Sequence, residues 1–228
     1  MAENKHGSIT MAMIFLMSTL LAAYAPPTAE GATVVITDAV QVVNGGALNE
    51  RMAAMTADSE GNIHIVWSRN TQHLYYTMLD PRAQTVIDET QISNSGAHRA
   101  WHPDIDIDSE DRVHVTWTDK ANQHTILYTL LDPSLDDQDG SSSDDSTLSI
   151  IDDTEVSRRQ QNRDWPAIAV DSQDNVHIVW EDSYDELDQF YQQPQIYYAM
   201  LEPDYGQNIA ITLFDDTLLT PVIGHKGH

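Results

Sequence analysis

Three histidines recur inside one repeated phrase: DSEGNIHIVW (residues 58–67), DSEDRVHVTW (108–117) and DSQDNVHIVW (171–180). His64 and His114 lie 50 residues apart, and His114 and His177 lie 63 apart. Three imidazoles are chemically able to hold one metal ion. To do so they must converge. Equivalent positions of successive repeat units converge only on a strand that lines the common axis, and the phrase falls on the second strand of its unit. The preferred reading is therefore structural: each His is buried and hydrogen-bonded to a neighbouring blade, with the turn aspartate as a candidate partner. Asp58, His64, Trp67, Asp108, His114, Trp117, Asp171, His177 and Trp180 form the structural repeat. No metal ligand, cofactor or catalytic residue is nominated.

Other stretches with chemical potential are weaker. DIDID (residues 104–108) looks like a calcium loop, but it lacks the glycine and distal glutamate of an EF-hand loop, and its alternating isoleucines read as a strand. Asp104 and Asp106 stand where the other units have Ala54, Thr56, Ala167 and Ala169, which leaves open an inner-strand site special to unit two. LDDQDGSSSDD (135–145) reads as an acidic solvated loop. The rare positive charges are more informative. Of eleven Lys and Arg, six fall between units: Arg51, Arg99, Arg158, Arg159, Arg163 and Lys226. Two of these make an Arg-x-Trp motif, Arg99 with Trp101 and Arg163 with Trp165. Guanidinium forks bind carboxylates bidentately, and flat aromatics stack on sugar rings. An enlarged loop (182–194) adds Tyr184, Phe190 and Tyr191. The candidate ligand-binding set is Arg99, Trp101, Arg163, Trp165, Tyr184, Phe190 and Tyr191, facing an anionic glycan or a cell-surface protein. The competing reading has Arg and Trp simply capping the junctions.

These residues sit on repeated short strands. Beside the phrase, HLYYTMLDP (73–81), TILYTLLDP (125–133) and QIYYAMLEP (195–203) recur downstream, and MAAMTAD (52–58), HPDIDID (102–108) and WPAIAVD (165–171) upstream. A fourth segment recurs as VIDETQIS, IIDDTEVS and LFDDTLLT. Each unit reads as four antiparallel strands of alternating or β-branched character with polar turns. In the turn of the phrase, Asp58, Asp108 and Asp171 are expected to accept backbone hydrogen bonds. Gly61, Asp111 and Asp174 are expected at positive φ. The expected architecture is all-β: a propeller-like array of three four-stranded blades at 52–93, 102–157 and 165–220. An extra outer strand at 33–44 precedes them, and 221–228 begins a junction to a missing blade. Three blades make an incomplete ring, which implies either a longer propeller or head-to-tail self-association.

The wording P-x-I-A-V-D-S-x-x-N-V-H-I-V-W, best seen at residues 166–180 and followed by Ile196-Tyr197-Tyr198, resembles the repeats of secreted sialidase-like (BNR-type) β-propeller proteins. The resemblance covers about 190 residues and implies the fold. It does not imply catalysis, because neither a Phe/Tyr-Arg-Ile-Pro segment nor an S-x-D-x-G-x-x-W box is present.

Composition bounds the rest. With 36 acids against 11 Lys and Arg the net charge is −25, which argues against nucleic acid and anionic membrane as partners. Absence of cysteine removes disulfides and thiolate chemistry. Residues 1–31 read as a signal peptide: Lys5, then an apolar run over 11–25 too short for a span of roughly 20 residues. The expected product is a secreted, extracellular or periplasmic module that binds glycans or surface partners without catalysis. The alternatives are a piece of a sialidase-like glycoside hydrolase and a purely structural surface or adhesion repeat.

Overall fold

The structure, a computed structural model, describes residues 39–43, 48–94, 99–121, 124–136, 148–157, 163–182, 195–207 and 209–219. These residues form twelve strands in three four-stranded antiparallel sheets. Sheet one holds β1 (Glu50–Ala57), β2 (Ile63–Arg69), β3 (His73–Leu79) and β4 (Thr85–Gln91). Sheet two holds β5 (Ala100–Ile107), β6 (Val113–Asp119), β7 (Thr125–Leu131) and β8 (Ser149–Glu155). Sheet three holds β9 (Arg163–Val170), β10 (Val176–Asp182), β11 (Gln195–Asp204) and β12 (Ile209–Leu218). Each sheet is a simple meander, so its strand order is its chain order.

The arrangement is radial. β1 lies against β5 and β5 against β9, while the outermost strands β8 and β12 barely meet. Inner strands converge and outer strands splay, as in propeller blades. The expected fold class is thus observed, as an incomplete ring of three blades.

Alternation along the second strand builds the seams. Facing sheet two from sheet one are Val66, Leu74, Tyr76 and Ile87; Ile105, Val113, Val115, Trp117 and Leu127 meet them. Across the next seam Ile126, Tyr128, Leu130 and Ile151 meet Val176, Ile178, Trp180, Tyr197 and Ala199. The tryptophan of each phrase therefore faces the preceding sheet, and its histidine and tyrosine face the following one. Trp67, Trp117 and Trp180 are at most 3% exposed. Removing ~150–250 Å² of each indole from water contributes up to ~4–6 kcal/mol at ~25 cal/mol per Å².

Among the described residues Trp67 has no preceding sheet. It is covered instead by its own surroundings: Tyr75 stacks on it at 6.0 Å, Arg69 lies over both rings, and Glu50 accepts its indole N–H. Val42 and Val43 line a cavity with Met52, Met55, Ile65 and Trp67 on that same face. Of the outer strand expected at 33–44, only 39–43 lie among the described residues, and they are not in a strand. The signal segment (1–31), the acidic stretch 137–147 and the junction 221–228 lie outside the described residues.

Candidate functional site at the bulged inner strands

The two ends of each sheet are built differently. At one end lie the turns of the repeated phrase. Asp58 Oδ1 accepts the N–H groups of Glu60 and Asn62 at 2.9 and 2.7 Å, and Asp108 and Asp171 repeat the pattern. Gly61, Asp111 and Asp174 take φ of 84°, 61° and 61°, as expected. The histidine completes a triad within its own sheet. His64 Nε2 faces Asp58 Oδ2 at 3.3 Å and Nδ1 faces the Tyr76 hydroxyl at 2.8 Å. His114 joins Asp108 and Tyr128, and His177 joins Asp171 and Tyr198, in the same way. The expectation of a bond to a neighbouring blade is thus corrected in favour of the turn aspartate. The reason is register: His64 pairs with Met78, which makes Tyr76 its diagonal neighbour on the same face.

Burial drives His64 toward its neutral form and, despite the attraction of Asp58, its pKa falls below 6.5. Burial also lifts the Tyr76 and Tyr128 phenols far above their usual value. Burial works against ionised Asp108, but hydrogen bonds from His114 and Arg112 hold its carboxyl well below the usual range. A neutral imidazole has one N–H. Given to the carboxylate, it leaves Nδ1 to accept from the tyrosine.

Seams at this end carry a clamp. The Ser59 N–H and hydroxyl donate to Asp111 of the next sheet at 2.9 and 2.6 Å. Ser109 does the same to Asp174 at 2.9 and 2.8 Å. The special carboxylates of unit two also join sheets: Asp104 and Asp106 accept the N–H groups of Ile168 and Val170 at 2.9 and 2.8 Å. They cap an exposed strand edge. Among the described residues no cluster of three His, Asp or Glu side chains is arranged to hold a metal ion.

The opposite end holds the candidate site. Here each inner strand is bulged: pairing skips between Arg51 and Ala54 and between Trp101 and Asp104, and in sheet three between the partners of Val179 and Glu181. The extra residue sits in the left-handed region in all three sheets: Met52 at φ 55°, His102 at 49° and Trp165 at 55°. A left-handed conformation costs an L-residue with a side chain about 1–2 kcal/mol. Such strain concentrates where a side chain must be aimed.

The three bulge residues form a ladder across the blades. Met52 Sδ accepts the His102 N–H at 3.3 Å. His102 stacks on Trp165 with centroids 3.6 Å apart and planes 16° apart. His102 Nδ1 bonds Asp164 Oδ1 at 2.6 Å, and the other oxygen of Asp164 pairs with Lys120 Nζ, also at 2.6 Å. Lys120 in turn lies 4.2 Å over the Trp101 ring, and Trp101 meets His102 edge-on. Burial opposes ionisation of Asp164, but Lys120 and His102 win and its pKa is lowered. The outcome is a charged, partly buried knot that holds one face of Trp165, whose side is 61% exposed.

The candidates nominated from sequence divide accordingly. Trp101 and Trp165 belong to this site, and Arg99 is exposed at its edge. Arg163 does not present itself to a ligand: it is 1% exposed, with Nε 3.9 Å from Asp182. The two Arg-x-Trp motifs are out of register by one residue. Ala100 pairs with Asp119 and Arg163 with Asp182, so Arg163 takes the place of buried Ala100, and Trp165 matches His102 rather than Trp101. Glu50 occupies the same place in sheet one, opposite Arg69, which gives an ion pair of reversed polarity. Tyr184, Phe190, Tyr191, Arg158, Arg159 and Lys226 lie outside the described residues. Motif reading missed His102, Lys120, Asp164 and Met52. The aligned segments beginning at residues 52, 102 and 165 held the signal, since those are the bulge residues.

No family model matches the chain, and no curated protein matches it. Among solved structures, it is similar to a thermostable family-43 glycoside hydrolase at 11% identity and a TM-score of 0.45, covering 78% of this chain and 56% of that one. It is similar to a PL25 ulvan lyase at 10% identity and a TM-score of 0.42, covering 71% of this chain and 41% of that one. A fucose lectin from Kordia zhangzhouensis in complex with methyl-fucoside matches at 14% identity and a TM-score of 0.38, over 64% of this chain and 90% of that one. The chain spans about half the length of the two enzymes. No activity is carried over from them.

Proposed function

We propose that the chain is a non-catalytic, secreted β-propeller module that binds glycans at the bulged ends of its inner strands. One observation carries this reading: Trp165 is 61% exposed yet fixed, held in a left-handed conformation and backed by a stacked His102. A merely structural tryptophan would be buried, as Trp67, Trp117 and Trp180 are. An aromatic face held rigidly in water suits the C–H face of a sugar ring, because little side-chain entropy remains to be lost on binding. Asp164 supports it from behind with two short charge-assisted bonds. Arg51 and Arg99 are exposed nearby in sequence to the ladder, and on a body of charge −25 they favour a carboxylated or sulfated saccharide. The polar lead and apolar run of residues 1–31 support export.

The test is a glycan array followed by calorimetry with the best-binding oligosaccharide. Trp165→Ala is expected to weaken binding about fivefold to tenfold, the equivalent of about 1–1.4 kcal/mol, with an unchanged melting temperature. Arg99→Ala is expected to weaken only the acidic saccharides. Undiminished affinity in Trp165→Ala would remove the proposal. Turnover of a fluorogenic sialoside by the wild-type chain would replace it with a hydrolase.

A further inference from the structure

Two methionines of β1 differ in what their sulfur does. Met55 is 69% exposed, and among the described residues its sulfur accepts no hydrogen bond. Met52 is half-buried at the bulge, with φ 55°, and its sulfur accepts the His102 backbone N–H at 3.3 Å. Among the described residues that N–H donates to no other acceptor. The sulfur therefore ties sheet one to the residue on which Trp165 stacks at 3.6 Å.

A thioether can be changed covalently and changed back, through the sulfoxide. Its sulfur is a weak acceptor with two lone pairs. In Met52 one lone pair is engaged by the His102 N–H and the other is not. Oxidation by a peroxide consumes a lone pair. The sulfur attacks one peroxide oxygen, an S–O bond forms and the O–O bond breaks. Sulfur gives up two electrons and the peroxide takes them. The proton of the attacked oxygen passes to the leaving oxygen, which departs as water or an alcohol. Each lone pair leads to a different sulfoxide epimer, so a sulfur with one lone pair engaged is oxidised on the other. The new oxygen then points away from the His102 N–H, and it draws electron density out of the lone pair that had accepted this donor.

We propose that Met52 is a reversible oxidation site at the bulge end: peroxide converts it to one sulfoxide epimer in excess, and the sulfoxide releases the His102 N–H and loosens the stack behind Trp165. Its effect on binding rests on the reading of Trp165 as a glycan platform; the chemistry and the release of His102 do not.

The test treats the full chain with hydrogen peroxide and maps the sulfoxides by mass spectrometry after digestion. The two epimers are told apart by the two epimer-specific sulfoxide reductases. Met55 is expected to react first and to give both epimers in about equal amounts, and Met52 to follow with one epimer in excess. Amide hydrogen exchange, read by nuclear magnetic resonance, is expected to quicken about tenfold at His102 once Met52 is oxidised. Affinity for the best-binding oligosaccharide is expected to fall about threefold or more, since the platform is less preorganised, and to return after reduction. In Met52→Leu, which has no sulfur to oxidise, peroxide is expected to leave the affinity unchanged. A Met52 that stays a thioether after Met55 is fully converted would overturn the proposal. So would equal epimers at residue 52 with an unchanged His102 amide. An unoxidised chain that binds no saccharide would sink the glycan reading alone, because the epimer excess and the His102 exchange are measured without any saccharide.

Discussion

The two ends of the sheets obey the same backbone and opposite rules for side chains. At the turn end, equivalent positions hold the same residues: Asp58, Asp108 and Asp171; His64, His114 and His177; Tyr76, Tyr128 and Tyr198. At the bulge end, equivalent positions share a strained left-handed φ yet hold Met52, His102 and Trp165. Where the residue types repeat, they satisfy needs that every sheet has: a turn to close, an imidazole to hold between its aspartate and tyrosine, a strand to anchor. Where only the conformation repeats, the fold has built three sockets and filled each differently. Repetition within one chain thus separates architecture from a candidate site without any second sequence. Strain marks the sockets, and diversity of side chain marks their use.

The strongest way to break this contrast is to attack the repeated part. Trp117 is fully buried in the seam between sheets one and two. Its replacement by alanine removes the indole and leaves a cavity, so Trp117→Ala is expected to cost roughly 3–5 kcal/mol. Chemical denaturation measures this directly. A variant as stable as the wild type would mean that the seams do not carry the fold. Loss of the indole N–H adds nothing to the cost, because among the described residues that group has no hydrogen-bond partner: Ala100 stands where Glu50 accepts from Trp67.

A smaller effect comes from protons, again at the turn end. The folded pKa of His64 lies below its unfolded value of 6.5, so the unfolded chain takes up the proton first as pH falls. Proton uptake then favours unfolding, and stability declines from about pH 6.5 downward. Asp58 and Asp108 act later. Their folded pKa values lie below 3.8, so their contribution is complete above that pH and is lost as pH drops through the folded values. Denaturation midpoints between pH 8 and 3 should therefore show a shallow loss below pH 6.5 and a steeper one below 3.8. His64→Gln should flatten the first and keep the second. A first phase unchanged by that substitution would place the titrating group elsewhere.

How much of this was legible in the sequence depends on the range of the interaction. Strands, turns and the burial of Trp67, Trp117 and Trp180 follow from alternation and turn chemistry, which act within a few residues. The histidine partners needed one step more. Tyr76, Tyr128 and Tyr198 follow their histidines by 12, 14 and 21 residues. The loop between them varies while the cross-strand register does not, so variable spacing hides a fixed contact. Arg163 shows the opposite failure. A three-residue motif looked repeated, but a strand turns a one-residue offset into the opposite face, and the guanidinium is buried beside Asp182. The bulge was invisible to pattern reading because Met52, His102 and Trp165 are three different residue types, and neither methionine nor tryptophan normally signals positive φ. Lys120 and Asp164 meet across a seam, which no local rule could place.

The smallest effect is also the sharpest probe of the bulge end. In the interior of a strand glycine is less stable than alanine by about 0.5–1 kcal/mol, because it loses more backbone freedom on folding. At a left-handed position the order reverses, since alanine keeps the steric cost of its Cβ and glycine has none. Both Met52→Ala and Met52→Gly remove the sulfur that accepts the His102 N–H, so their difference isolates the backbone. Met52→Gly is expected to be more stable than Met52→Ala by about 1 kcal/mol. At Ala54, two residues on in the same strand, Ala54→Gly is expected to lose about 0.5–1 kcal/mol. Paired denaturation curves for these variants test whether the socket is strained in solution. Equal ranking at the two positions would show that Met52 is an ordinary strand residue, and the parallel conformations of His102 and Trp165 would then lose their meaning as a shared device for aiming side chains.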